Sequence, residues 1–148
     1  MVEFFELRDY MKHRNLSHVK NEYLSLLREL TDAPDISDEN FSKLVNKIHT
    51  IGKIYIGVDN DMIICSGTII IEPKIIHGGK CVGHIEDIVV LASWRKKGLG
   101  NAILDHLKEY GFNNNCYKII LDCNDHLEAF YKKCNFNKKG IQMSLYKS

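Results

Sequence analysis

The chain has 148 residues, 45% of them apolar, and its 20 Lys plus Arg set against 19 Asp plus Glu leave a formal charge of +1. This is enough apolar side chain for one hydrophobic core, so one domain spanning 1–148 is expected, and the balanced charge gives no electrostatic case for a nucleic acid or a membrane surface as partner. Met1 to Asp9 carries Glu3, Glu6 and Asp9 where a signal peptide needs basic and then apolar residues, and no apolar run reaches membrane-spanning length.

Phe4 to Arg8 reads as a short strand. Val19, Tyr23, Leu26, Leu27 and Leu30 then recur at helical spacing until Thr31-Asp32-Ala33-Pro34-Asp35 breaks the pattern. A second helix is expected behind Ser37, a good N-cap followed by the acidic first turn Asp38-Glu39, with Phe41, Leu44, Val45 and Ile48 as its apolar stripe. From Lys53 the pattern becomes β-rich: Ile54 to Asp59, a turn at Asn60-Asp61, Met62 to Ile71, and Gly83 to Val90. Glu72 to Cys81, with Pro73, Gly78 and Gly79, reads as a loop at the sheet edge. A helix opens at Gly98-Leu99-Gly100 and buries Leu99, Ile103, Leu104, Leu107 and Tyr110; Lys118 to Cys123 is a strand, His126 to Cys134 a short helix, and Lys139 to Tyr146 a last strand. The expected order is β-α-α-β-β-β-α-β-α-β. The five cysteines are odd in number and lack a C-x-x-C pair, so a reducing, cytoplasmic setting and no metal site are expected.

The segment with chemical content follows the strand Ile85 to Val90: Arg95-Lys96-Lys97-Gly98-Leu99-Gly100 at a helix start. Glycines there let the backbone approach an anion, and the free amides and positive end of the helix dipole favour a phosphate. An ordinary basic turn is the alternative. Two nucleotide loops are excluded by spacing: the P-loop lysine-hydroxyl pair is absent, and the third glycine of a dinucleotide fingerprint is replaced by Ile103.

R-x-x-G-x-G after a strand resembles the pyrophosphate motif of the GNAT acetyltransferase superfamily, as do the element order, Asn124, Phe130-Tyr131 and Asn135-Phe136, in which Asn135 stands where glycine is usual. The resemblance implies an α/β (α+β) fold with a mixed, mostly antiparallel central sheet flanked by helices, and acetyl-CoA as co-substrate. Within that superfamily, Gly83 to Val90, Cys116 to Cys123 and Phe130 to Cys134 are similar to the eukaryotic family that acetylates the amine of D-glucosamine 6-phosphate.

That resemblance implies roles residue by residue. Ile88, Val89 and Val90 would hold the acetyl end of the cofactor, Arg95, Lys96, Lys97, Gly98, Leu99, Gly100 and Asn101 its pyrophosphate, with Asn124 and Tyr131 further along. Tyr131 is the candidate acid, since a hydroxyl of ordinary pKa about 10 keeps its proton at neutral pH. Glu86 and Asp122 are the acidic candidates near the amine; Asp122 could equally cap the next helix. Thr31, Lys74, His77, Glu86, Asp87, Tyr117 and Lys118 are the substrate candidates. Strand alternation would point Glu86 and Asp87 to opposite faces. Leu127 and Tyr146 depart from the family pattern on the substrate side, and the resemblance further implies a homodimer with its active sites at the interface. Open alternatives are a GNAT enzyme for a polyamine or a protein N-terminus, and a CoA-binding module without turnover.

Overall fold

A computed structural model describes all residues, 1–148. The expected plan is recognisable, with changes at both ends. β1 is Glu3–Glu6, and the chain then turns into a helix, α1 (Leu7–Met11), where the strand was expected to continue to Arg8. Leu7 and Tyr10, one helical turn apart, are both buried, and a single turn is too short for periodicity to distinguish from a strand end. α2 (Leu16–Leu27) is capped by Asn15, whose side chain accepts from the His18 amide, and α3 (Asp38–Ile51) by Ser37, which accepts from the Asn40 amide as expected.

β2 (Gly52–Asp59) and β3 (Met62–Pro73) form a hairpin whose turn residues Asn60 and Asp61 both have positive φ, the geometry that matches strand twist. β3 runs two residues into the expected loop. The remainder is a single helical turn, α4 (Ile76–Gly79), reversed by positive φ at His77, Gly78 and Gly79. β4 (Cys81–Val90), a 3-10 turn (Ala92–Trp94), α5 (Leu99–Asn113), β5 (Cys116–Ile120), a second 3-10 turn (Asp125–Leu127) and α6 (Glu128–Lys133) complete the order.

The five strands lie in chain order, β1 to β4 antiparallel and β5 parallel to β4. The parallel step follows from the α5 crossover. α1, α2 and α3 cover one face over a core including Leu7, Val19, Leu26, Ile54 and Ile56; α5 covers the other with Ile103, Leu104 and Leu107, all fully buried. No helix is long and apolar enough to cross a membrane. Lys139 to Tyr146, expected as a last strand, pairs with nothing in its own chain: Ile141, Met143 and Leu145 are 90% or more exposed. Its apolar alternation is a strand pattern without a sheet to join.

Candidate active site

Pairing between β4 and β5 stops at His84 opposite Ile120. β4 stays bonded to β3 as far as Val90, whereas the chain leaves β5 at Leu121, so the two backbones part. A cavity of about 250 Å³ fills the gap. Ile85 to Ile88 line it from β4, Leu121 to Asn124 from the exit of β5, and Leu127 and Tyr131 from the α6 region; Leu30 and Gln142 close it from the α2 exit and the C-terminal segment. Asp122 therefore stands beyond the strand rather than at its end, because β5 runs Cys116–Ile120 instead of Lys118 to Cys123.

The β4 wall carries a bulge. Two steps along β3, from Ser66 to Thr68, match three along β4, from Val89 to Glu86, and Asp87 has φ +54. The extra residue breaks the alternation that placed Glu86 and Asp87 on opposite faces: both line the cavity. A left-handed residue other than glycine costs about 1 kcal/mol or more, least for a short polar side chain such as aspartate. Behind the bulge Tyr23 is buried, accepting from Ser66 Oγ at 3.2 Å, and burial pushes its hydroxyl up to about 12.

Three carboxylates, Glu86, Asp87 and Asp122, meet this space together with Tyr131 and Cys123. Glu86 is held above the usual carboxylate range, first by partial burial and then by the charges of Asp87 and Asp122. A carboxylate shifted this way is a better proton acceptor near neutral pH. Tyr131 is 8% exposed, and burial raises its hydroxyl further above its ordinary value, so it remains a proton donor. Its ring is set edge-on between Phe130 and Phe136, and its carbonyl accepts from the amides of Cys134 and Phe136, both at 3.0 Å. Asn135, at φ +72, makes the helix-ending reversal that glycine usually makes.

The start of α5 packs against α6 and its Tyr131, and Gly98 caps it at φ +81 with no side-chain bond to the first turn. The first helical bond runs from the Ala102 amide to Gly98 O at 3.0 Å, which leaves the amides of Leu99, Gly100 and Asn101 without helical acceptors. At Gly100 the constraint is steric: a Cβ there would lie 3.2 Å from the Phe130 ring, which would have to shift by a few tenths of an ångström. Arg95, Lys96 and Lys97 are exposed around this point, with Arg95 Nε donating to Val90 O at 3.0 Å and the Lys97 ammonium 4.7 Å from the Trp94 ring. The Leu99 and Val89 side chains are in the core, Val90 packs on the α5 side, and Asn101 Oδ1 accepts from Cys134 Sγ at 3.3 Å. Leu99 and Val89 therefore offer a ligand their backbone only.

The basic candidates gather elsewhere. His77 stacks on Tyr117 at 4.2 Å, the Lys118 ammonium is 5.7 Å from the same ring, and Lys74 pairs with Glu72 at 3.2 Å. Glu72 also bonds His84 at 2.8 Å, and both partners hold its carboxyl below the usual range. Lys118 pairs with Val82, four residues before Glu86 and hence roughly 13 Å along the strand. Thr31 is exposed and off the cavity wall, which is formed by its neighbour Leu30. Sequence reasoning also missed Ile85, Leu121, Cys123 and Gln142; the first three adjoin motif residues, whereas nothing in the sequence around Gln142 marks it.

A sheet that divides beside an uncapped, glycine-flanked helix start defines an acyltransferase class: residues 9–136 match the acetyltransferase (GNAT) family, and the chain belongs to that family. It is similar to glucosamine 6-phosphate N-acetyltransferase 1 of Dictyostelium discoideum, 42% identical over 84% of this chain and 82% of that relative. It is also similar to glucosamine 6-phosphate N-acetyltransferase of Arabidopsis thaliana, 32% identical over 99% of each chain. The crystal structure of glucosamine-6-phosphate N-acetyltransferase from Arabidopsis thaliana superposes with a TM-score of 0.88 at 29% identity, covering 100% of this chain and 99% of that one.

Proposed function

We propose that this protein transfers the acetyl group of acetyl-CoA to the amine of D-glucosamine 6-phosphate, yielding N-acetyl-D-glucosamine 6-phosphate and CoA by direct attack within a ternary complex. One observation carries the reading: Glu86 of β4, Asp122 just beyond β5 and Tyr131 of α6 line one cavity where β4 and β5 part. The free amides at the start of α5, with Arg95, Lys96 and Lys97 around them, fit the pyrophosphate of acetyl-CoA. Bound there, the co-substrate supplies an activated acetyl thioester.

The protein's own groups do the rest. Glu86, its proton affinity raised by burial and by its acidic neighbours, takes a proton from the ammonium form of the amine; Asp122 favours the cationic amine in the cavity. The Tyr131 hydroxyl holds a proton where a departing thiolate needs one. Thr31, Asp87 and Tyr117 belong to the sugar side, with Lys74, His77 and Lys118 for the 6-phosphate. Lys118 and His77 make no ion pair, so both are free to meet an anion.

The protein acts as a single domain in the cytoplasm and as a homodimer, the apolar C-terminal segment with Ile141, Met143 and Leu145 joining the partner's sheet. A second reading has an observation in its favour: the cavity itself holds three carboxylates and no cation, which suits a polyamine. Thiol release from acetyl-CoA with glucosamine 6-phosphate, glucosamine, spermidine and a peptide amine in parallel separates the two. Preference for the sugar phosphate is expected; turnover confined to spermidine would transfer the assignment, and CoA binding without turnover on any amine would leave a binding module.

A further inference from the structure

Glu29 stands at the exit of α2, next to the cavity residue Leu30. Its Oε1 accepts a hydrogen bond from the Ala92 amide at 2.9 Å and lies 3.7 Å from the Arg95 guanidinium. No other side chain from elsewhere in the fold bonds to the backbone of residues 91 to 98, the stretch that carries β4 into the glycine loop. One carboxylate oxygen thus ties that stretch to α2, 63 residues away in sequence.

The charge of this group is badly placed for an anion site, since a carboxylate beside Arg95 offsets part of the attraction Arg95 offers a pyrophosphate. Its useful property is the backbone bond. We infer that Glu29 is a positioning residue for the glycine loop: its tether to Ala92 sets the loop for the CoA pyrophosphate and fixes the loop's place relative to Leu30 on the cavity wall. A neutral acceptor of the same length makes the same bond without the opposing charge. The inference rests on the reading of the α5 start as the CoA site.

The test is CoA binding by calorimetry, with KM and kcat for acetyl-CoA and glucosamine 6-phosphate, on the wild type, Glu29→Ala and Glu29→Gln. Glu29→Ala is expected to raise the CoA Kd and the acetyl-CoA KM about tenfold and to raise the sugar-phosphate KM, with kcat within about twofold, while Glu29→Gln, which keeps the bond and loses the opposing charge, binds CoA at least as tightly as wild type. Unchanged constants in Glu29→Ala, or a Gln variant as weak as the Ala variant, overturn the inference, the latter by showing that the charge on Arg95 is what matters. A lower melting temperature with unchanged constants overturns it too, by making Glu29 merely structural. Hydrogen exchange at the Ala92 amide tests the tether even if Glu29→Ala does not fold: protection in the wild type and in Glu29→Gln is expected, and rapid exchange in the wild type overturns it. A wild type that binds no CoA defeats the site reading itself, and is told apart by that result.

Discussion

Tyr131 and Glu86 differ in how their surroundings set their protons, and each difference is measurable. Tyr131→Phe removes one hydroxyl from a ring whose packing against Phe130 and Phe136 stays intact; kcat should fall about a hundredfold with the melting temperature nearly unchanged. Glu86 is shifted upward, so the folded state binds its proton more tightly than the unfolded chain does. Stability from this group is therefore full at low pH and falls as pH rises through the folded value. Glu86→Gln should thus melt slightly higher than wild type at pH 7, with the gap closing below about pH 4. The same variant should lose the acid limb of the kcat/KM profile, which in wild type lies above the ordinary carboxylate range. Cys123 is the one exposed cysteine of five, and it lines the cavity. A thiol reagent should label it first, and CoA should slow that labelling; equal rates with and without CoA would separate Cys123 from the cofactor's space.

Among the elements, α5 is where sequence and structure agree most closely, because its apolar stripe, opening glycines and preceding basic run each rest on local physics. Leu104→Ala should destabilise the fold by about 3 kcal/mol in denaturant titration, as for other fully buried leucines. Gly98→Ala places a Cβ at φ +81, and acetyl-CoA KM should rise several-fold while the sugar-phosphate KM changes little. Other features were hidden for identifiable reasons. α1 is one turn long, below what a 3.6-residue period can reveal. The bulge at Asp87 leaves no mark on the residue types of Glu86 and Asp87, yet it turns two diverging carboxylates into neighbours. The end of β5 at Ile120 is also illegible, since Leu121 and Cys123 are as strand-like as the residues before them; what stops the strand is β4's failure to follow.

At the scale of the whole molecule, the C-terminal segment is the part whose sequence pattern and observed state differ most. Alternating Ile141, Met143 and Leu145 signal a strand, but the chain's own sheet gives them no place. In a homodimer they should be covered, so sedimentation should give twice the 17.1 kDa chain mass, and truncation after Lys138 should give monomers with reduced activity. Full-length monomers with full activity would remove the dimer from the proposal. The divergence of β4 and β5 has a further consequence, for endurance rather than catalysis. Where other sheets close with their own backbone, this one leaves its last seam to a visitor, and whatever fills that seam stabilises the folded state by mass action, by about 2.7 kcal/mol at a hundred times its Kd. If the acetyl-CoA of the proposed reaction fills that seam, resistance to heat and to proteases should rise with its supply, so that a well-fed cell would hold a tougher enzyme and a starved one an enzyme easier to clear.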